Sequence, residues 1–244
     1  MGSTHSATGS LAGVLVAGGL GAAGPVELAA AAGVGAGAAL LPDIDHPAST
    51  ATRSAGPVTA VLSRCVRAAS SAAWRATRAP GDDGGYRDGT GAHRHLTHTL
   101  PAAVVCGLAA GVAALHWVGA AVVVWVLLSL AICGAEACTP ARGRLDWGTR
   151  ALVSAAGAGV VMALAQPHPA LLGVLVAAGM VVHVLGDWLT PAGVPLAWPL
   201  CHRGRRWWMW RSPVAFKTGD CWQETAVRWA CWSGTPLVAA LTVT

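Results

Sequence analysis

Charged residues are scarce in this sequence: Asp, Glu, Lys and Arg together supply 11% of its 244 residues, whereas soluble domains average about 25%. Hydrophobic residues make up 54%, and the mean hydropathy is +0.54. So little charge on so apolar a chain excludes an ordinary soluble domain. The composition predicts an integral membrane protein.

Paired cysteines and a signal-peptide pattern are also missing from the sequence. The seven cysteines form no CxxC pair and several lie in apolar runs, so neither disulfides nor a cysteine-bound zinc ion is expected. The N-terminus has no basic region before its first apolar run and no clear cleavage site, which are the marks of a signal peptide. We therefore expect the first helix to be retained.

Seven apolar runs follow one another along the chain, and several reach the ~20 residues that a helix needs to cross the hydrocarbon core. We predict an all-α fold, a polytopic membrane helical bundle of six to seven passes that forms one domain over residues 1–244. The first two runs are short and meet at Gly24-Pro25, which fits a tight hairpin or a partly re-entrant pair. The runs are 10–25, 27–41, 99–115, 117–138, 151–166, 169–190 and 227–244.

The positive charges predict the orientation. If the passes alternate, all 16 Lys and Arg residues fall on one side, in or beside segments 42–98, 139–150 and 191–228. The positive-inside rule makes this side the cytoplasm. We therefore predict a protein of the cytoplasmic membrane whose motif-bearing loops face the cytoplasm. No nucleic-acid-binding motif accompanies the +5 net charge, so no nucleic-acid partner is expected.

Two segments are predicted to lie at the membrane surface. Residues 48–92 form an Arg-rich cytoplasmic insertion in which Val58, Val61, Leu62 and Cys65 follow helical spacing opposite a face of arginines. This pattern predicts an interfacial amphipathic helix whose arginines meet anionic headgroups, which makes membrane lipids a predicted partner. Residues 201–226 are basic and Trp-rich and predict a second interfacial segment.

Metal-type ligands occur in four places, at the ends of apolar runs. His5 precedes the first run, segment 43–46 ends the second, segment 93–98 opens the third, and His183 and Asp187 close the sixth. Imidazole nitrogen and carboxylate oxygen suit zinc, manganese or iron. Alternating passes would bring all four places to the same face, which favours a single site.

Each place also has a plainer interpretation. Segment 43–46 fits a polar turn, and 93–98 fits a solvated or headgroup-binding loop. Arg94 fits two roles: it could bind a phosphate oxyanion, or its positive charge could serve only to orient the protein in the membrane. His183 and Asp187 share one helix face at i, i+4 and fit a structural pair, although ionisable residues inside a membrane segment are functional candidates by default. Structural or interfacial roles are expected for Glu27, His116, Glu136, His168 and His202.

These ordered motifs resemble the LexA-regulated, membrane-bound, predicted metal-dependent hydrolase family over nearly the whole chain. The matching residues are 41–47, His93-Arg94, Thr97-His98-Thr99, His183, 187–195 and Trp198-Pro199, with Thr4-His5, 216–219 and Glu224 in support. The sequence departs from the pattern at His95, where a glycine is usual, and at Thr99, where a serine is usual, so His95 inherits no role. A weaker similarity, in motif style, to zinc-dependent phospholipase C and P1-type nucleases implies phosphoester chemistry.

We therefore predict a membrane-bound metal-dependent hydrolase that acts on a phosphoester or lipid-linked substrate through metal-activated water. Its cofactor is one or two divalent ions, zinc first and manganese or iron as alternatives, because the candidate ligands exceed the four of one tetrahedral zinc. Asp45, Arg94 and Thr97 are the predicted catalytic residues. The alternatives are a metal or proton transporter and a non-catalytic membrane protein with a structural metal. The candidate ligands are His5, Asp43, Asp45, His46, His93, His98, His183 and Asp187.

Overall fold

Eight α-helices dominate the part of the chain that the computed structural model describes, residues 1–82, 89–219 and 221–243. The described residues contain no strand beyond two isolated bridges, Val194 with Trp210 and His202 with Arg205, so the all-α prediction is confirmed for them. The helices are α1 Gly2–Gly19, α2 Pro25–Ala38, α3 Pro57–Thr77, α4 Leu100–Ala113, α5 Trp117–Glu136, α6 Trp147–Leu164, α7 Pro169–Trp188 and α8 Trp222–Val243.

Each predicted apolar run corresponds to a helix, with one large difference at the start. Helix α1 begins at Gly2 rather than near residue 10, so His5 lies inside the helix and not ahead of it. Its first half carries Ser3, Ser6 and Ser10, which are buried inside the bundle. A search for apolar runs misses such a half-helix because its polar side chains face protein.

Within the described residues, four helical stretches are long and apolar enough to cross a membrane: Pro25–Asp45, Trp117–Glu136, Trp147–Leu164 and Pro169–Trp188. Helix α4 is also apolar but has only 14 residues. Large aliphatic side chains such as Val105, Leu152 and Leu241 cover the outside of the helices, as expected where helices face lipid. These features fit a membrane helical bundle; the count of six to seven passes stays a prediction.

The first two helices form an antiparallel hairpin with very close backbones. Gly9 lies against Gly35, and Gly13 lies against Ala31, so that a Cβ atom on Gly13 would come within 2.1 Å of the Ala31 carbonyl oxygen. Small residues allow such close approach in membrane bundles. Because α1 also packs against α5, α7 and α8, the hairpin places the polar half of α1 at the centre of the bundle.

Gly13→Ala is therefore expected to destabilise the protein. Overpacking of this kind costs about 1–3 kcal/mol, because neither backbone can move away without displacing its other neighbours. Thermal unfolding in detergent should show a lower midpoint. Gly159→Ala in α6 is the matched control, since a Cβ atom there meets nothing within 4 Å. Equal midpoints for the two variants would contradict the close packing of α1 on α2.

In helix α3 aliphatic side chains are exposed and polar side chains are buried, whereas the amphipathic helix of a soluble protein has the opposite arrangement. Its aliphatic residues Val58 and Val61 are 72% and 54% exposed, whereas Ser63, Ser70 and Trp74 are buried against the rest of the protein. An apolar outer face next to a charged one is the pattern of a helix lying in the membrane surface. This arrangement supports the predicted interfacial helix. Residues 83–88 of the predicted 48–92 insertion lie outside the described residues.

The first part of the predicted Trp-rich segment 201–226 is hydrogen-bonded to the end of α3 and the residues after it; residue 220 of this segment lies outside the described residues. The backbone N–H groups of Arg206 and Trp207 donate to the Asp82 carboxylate at 3.2 and 2.9 Å. The indole N–H of Trp207 donates to Thr77 Oγ1 at 3.1 Å, and Trp207 is buried. Trp207 is thus a packing residue of the fold, while exposed Trp222 keeps the position expected of an interfacial tryptophan.

Four of the five ionisable residues that were expected to be structural or interfacial make contacts within the helical bundle. Glu27 accepts a hydrogen bond from the N-cap backbone of α2 at 3.3 Å. His116 and His168 accept from Val118 and Ala170 and cap α5 and α7. Glu136 pairs with the buried Arg150 guanidinium, Nη2 to Oε2 3.0 Å. All four contacts stabilise helix ends or join neighbouring helices.

Candidate metal centre

Four elements meet at one end of the bundle and bring potential ligands together. They are the first turns of α1, the 3-10 helix Pro42–Asp45, the 3-10 helix Leu96–His98 and the last turns of α7. We call the side chains that meet there the His–Asp cluster: His5, Asp43, His98, His183 and Asp187. All except Asp43 are buried.

Local hydrogen bonds explain why the two short 3-10 helices hold their shape. After Pro42 starts the first one, the Ser49 hydroxyl donates to the Asp43 carbonyl at 2.7 Å, and the Thr52 hydroxyl donates to the His46 carbonyl at 2.8 Å. The second one ends at His98. The hydroxyl of the following Thr99 donates to the Leu96 carbonyl at 2.9 Å, and it accepts from the Ala102 N–H, which caps α4. Short polar side chains are suited to such turns and caps.

The cluster contains two overlapping groups of three. His98, His183 and Asp187 form one group, and His5, Asp43 and His183 form the other, with all ligand atoms in each group within 4.8 Å of one another. His98 Nε2 lies 3.2 Å from His183 Nε2 and 3.3 Å from Asp187 Oδ2. His183 Nε2 lies 3.8 Å from Asp43 Oδ1. His183 is the residue that both groups share.

The imidazoles of His98 and His183 are each held by a contact to Nδ1, so that their Nε2 atoms face each other. His183 Nδ1 lies 2.7 Å from the Ala39 carbonyl oxygen, which fixes the proton on Nδ1. His98 Nδ1 lies 3.0 Å from the Thr97 hydroxyl oxygen, which itself donates to Asp45, and 3.4 Å from Asp45 Oδ2. Metal-binding histidines usually donate their second N–H to a carbonyl or carboxylate in this way. Both Nε2 lone pairs are then directed at the centre of the cluster.

A cation fits the centre of the cluster. With both histidines protonated on Nδ1, Asp187 Oδ2 is buried without a hydrogen-bond donor and faces two nitrogen lone pairs. A buried carboxylate oxygen without a partner is costly, and three converging acceptors repel one another. A divalent ion satisfies all three acceptors at once, whereas a second proton, on His98 Nε2, provides one donor for either Asp187 Oδ2 or His183 Nε2.

The electrostatics of His98 point the same way. Burial disfavours its charged imidazolium, but the carboxylates of Asp45 and Asp187 outweigh that effect and raise the pKa of His98 to about 10. A field that strong favours any cation at this position, whether it is a proton or a metal ion.

Asp45 lies behind the cluster rather than within it. Its carboxylate is fully buried, and both oxygens are engaged by protein groups. Oδ1 lies 2.6 Å from His93 Nδ1; Oδ2 accepts from the Thr97 hydroxyl at 2.6 Å and from the Arg94 N–H at 3.1 Å. This carboxylate therefore orients the whole 93–98 segment, including His98.

Arg94 connects the two carboxylates. Its backbone is in the left-handed region, φ +57°, a conformation that costs a non-glycine residue about 1–3 kcal/mol. In this conformation the N–H reaches Asp45 while the guanidinium turns to Asp187, Nη2 to Oδ1 3.0 Å. A second guanidinium nitrogen donates to Thr190 Oγ1 at 2.7 Å.

His93 and His46 are partly exposed and lie beside the cluster. Their ring centroids are 4.8 Å apart, and the His93 side chain is 29% exposed. His46 Nδ1 accepts from the Ala48 N–H, and burial together with the nearby His93 lowers the pKa of His46. Of the eight predicted ligands, the structure thus brings five together in the two groups and places Asp45, His46 and His93 around them.

His95 lies apart from the cluster. Its buried ring packs 5.3 Å from the Trp207 ring and 6.5 Å from the Trp74 ring, centroid to centroid, and its Nδ1 lies 2.8 Å from the His93 carbonyl oxygen. This packing role accords with the interpretation that His95 inherits no metal-binding function.

Three further groups support the site and were not among the sequence-predicted site residues. The Ala39 carbonyl orients His183, and the Thr190 hydroxyl binds Arg94. Glu224 accepts from the Thr4 hydroxyl at 3.0 Å and from the Gly219 N–H at 2.8 Å, which ties α8 to α1 beside His5. Burial opposes ionisation of Glu224, but the hydrogen bonds from Gly219 and Thr4 and the nearby Met1 ammonium group together outweigh it, so that its pKa is lowered. Thr190 and Glu224 lie in the quoted motifs, whereas a backbone carbonyl leaves no sequence signal.

The profile of the YdjM inner membrane protein family matches residues 1–244. The chain belongs to the YdjM inner membrane protein family. No curated protein and no solved structure matches it significantly. Membership in the YdjM family, together with the four long apolar stretches, confirms the prediction of a membrane protein. It also supports the motif resemblance at the level of a membrane-protein family.

Proposed function

We propose that this YdjM-family protein is a membrane-bound metal-dependent hydrolase that cleaves a phosphoester or lipid-linked substrate. One observation carries the proposal: His98 Nε2, His183 Nε2 and Asp187 Oδ2 converge within 3.2–3.7 Å in a buried space. Such a set suits zinc first and manganese or iron as alternatives. The clustered arginines support an orientation in which this end of the bundle faces the cytoplasm.

The cluster can hold one or two divalent ions. His183 belongs to both groups, but the lone pair on its Nε2 can bind only one ion. A second ion would therefore need a further ligand besides His5 and Asp43, and the second oxygen of Asp187 could supply it. Oδ2 lies near His98 and His183, while Oδ1 lies 3.5 Å from His5 Nε2. A bound divalent ion would supply an acidified water, with a pKa near ~7, and would polarise the scissile group.

The residues around the cluster have separate tasks in this proposal. Asp45 positions His98 and His93, and Thr97 in turn holds the Asp45 carboxylate. Arg94 balances the charge of Asp187, and its partly exposed guanidinium is suited to a phosphate oxyanion. His93, oriented by Asp45 at 2.6 Å and partly exposed, can take or give a proton through Nε2.

The transporter alternative has less support. It requires ionisable groups along a path to the opposite end of the bundle. Among the described residues at that end, Glu27, His116 and His168 are engaged as helix caps. A purely structural metal requires a closed site, whereas Asp43, one of the five residues of the cluster, has a side chain that is 20% exposed.

Hydrolysis by the purified protein tests the proposal. With zinc supplied, the wild-type protein should hydrolyse a phosphodiester such as bis(p-nitrophenyl) phosphate or a phospholipid. His93→Gln should lower turnover by about 10²–10⁴-fold, the range of general acid–base catalysis, and should retain bound metal. His202→Gln is the control, because His202 packs against Trp208 and Trp210. A metal-loaded wild-type protein inert toward both phosphoesters would contradict the proposal.

A further inference from the structure

An apolar groove of about 290 Å³ opens directly beside the His–Asp cluster. It lies between α1, α7 and α8 and is lined mainly by hydrophobic side chains, including Leu185, Leu189, Phe216 and Val227. Its volume is just below the roughly 300–1,000 Å³ that small-molecule sites occupy. The groove is therefore large enough for part of a flexible molecule.

The inner end of the groove is formed by a residue of the cluster. His5 lines the groove, and its ring stacks on His183 with the centroids 3.9 Å apart. The Cε1–Nδ1 edge of His5 lies close to Gly186, where an added Cβ atom would come within 3.0–3.1 Å. A molecule lying in the groove thus ends one side chain away from the proposed metal.

The outer end opens on the lipid-facing side of the bundle. Leu185, on the apolar helix α7, is 45% exposed, and Val227 on α8 is 38% exposed. Trp222, at the start of α8, is also exposed. In a bilayer this opening meets hydrocarbon or the headgroup boundary, so the groove connects the lipid phase to the cluster.

Three polar residues of the lining, Thr4, Thr8 and Glu224, are already hydrogen-bonded within the protein. The Thr8 hydroxyl donates to the backbone carbonyls of Thr4 and His5, and the Thr4 hydroxyl donates to Glu224. Both Glu224 oxygens accept hydrogen bonds. Since these groups are satisfied without a ligand, the lining is suited to hydrocarbon rather than to a sugar or a peptide.

We infer that this groove binds a hydrocarbon chain of the substrate lipid and thereby places the headgroup phosphoester at the His–Asp cluster. The inference rests on the proposed function, because it names the class of substrate that the same site receives. The groove would hold part of one acyl chain of the lipid, and His5 would separate that acyl chain from the phosphoester at the cluster.

Photolabelling tests the groove without relying on activity. A phospholipid with a diazirine at the end of one acyl chain is bound in detergent, photolysed, and mapped by peptide mass spectrometry. Label should concentrate in 182–189 and 216–227. Val227→Trp, or Leu185→Trp if that variant does not fold, should lower this labelling about tenfold, as expected when roughly two methylene groups lose their burial. Leu152→Trp, on the exposed side of α6, is the matched control and should leave the labelling unchanged.

Label spread evenly over the lipid-facing helices, or unchanged by both groove variants, would overturn the inference. A kinetic comparison separates it from the proposed function. Val227→Trp should lower the ratio of long-chain lipid turnover to short diester turnover about tenfold. Groove labelling in a protein without hydrolysis would support the groove and contradict the hydrolase, whereas hydrolysis without groove labelling would overturn the groove alone.

Discussion

His183→Ala is expected to remove bound metal from the purified protein. His183 belongs to both groups of ligands and presents Nε2 to the centre while Ala39 holds its other nitrogen. Its loss should therefore lower metal affinity by more than the roughly 10–100-fold that outer-shell substitutions cost. Elemental analysis after zinc loading and dialysis measures the bound ion directly.

His168→Ala provides the control for this experiment. His168 caps α7, the helix that carries His183, but at the opposite end. It should keep the wild-type metal content, and thermal unfolding should show that both variants are folded. If folded His183→Ala retained wild-type zinc, His183 and Asp187 would form a structural pair between helices rather than a ligand set.

Asp45→Asn is expected to lower metal affinity about 10–100-fold, as outer-shell substitutions do. Four protein groups surround the carboxylate, and an amide NH₂ cannot accept hydrogen bonds from the donors that now face both oxygens. The 93–98 segment would then lose its anchor, and His98 its orientation. Zinc titration against a competing chelator measures the change.

Asp146→Asn controls for the loss of one carboxylate charge. Asp146 is the exposed N-cap of α6 and accepts hydrogen bonds from Gly148 and Thr149. Its substitution should leave zinc affinity unchanged. If Asp45→Asn instead left the site with one ion fewer at saturation, Asp45 would be a direct ligand and the positioning role assigned to it would be wrong.

The helical fold could be predicted from the sequence because lipid-facing helices are recognisable by composition alone. The runs at 117–138 and 169–190 match α5 and α7 closely. Helix α1 was predicted poorly for the opposite reason: its first half faces protein, where Ser3, Ser6 and Ser10 are buried without an apolar signal. Consequently His5 was placed ahead of a helix that in fact contains it.

The candidate site could be predicted to the level of its segments but not of its individual roles. The positions of the Lys and Arg residues and the alternating direction of successive passes were sufficient to predict that 43–46, 93–98 and 183–187 lie at one end of the bundle. They could not distinguish Asp43, which faces the cluster, from Asp45, which lies behind it, because that difference depends on the turn of a four-residue 3-10 helix. The left-handed backbone of Arg94 is equally invisible in a sequence.

Metal anomalous scattering from crystals of the zinc-loaded wild-type protein tests the metal centre most directly. The proposal predicts an anomalous peak between His98, His183 and Asp187, with ligand distances of about 2.0–2.2 Å and with Asp45 outside the coordination sphere. A fully ordered cluster with no peak after zinc loading would contradict it.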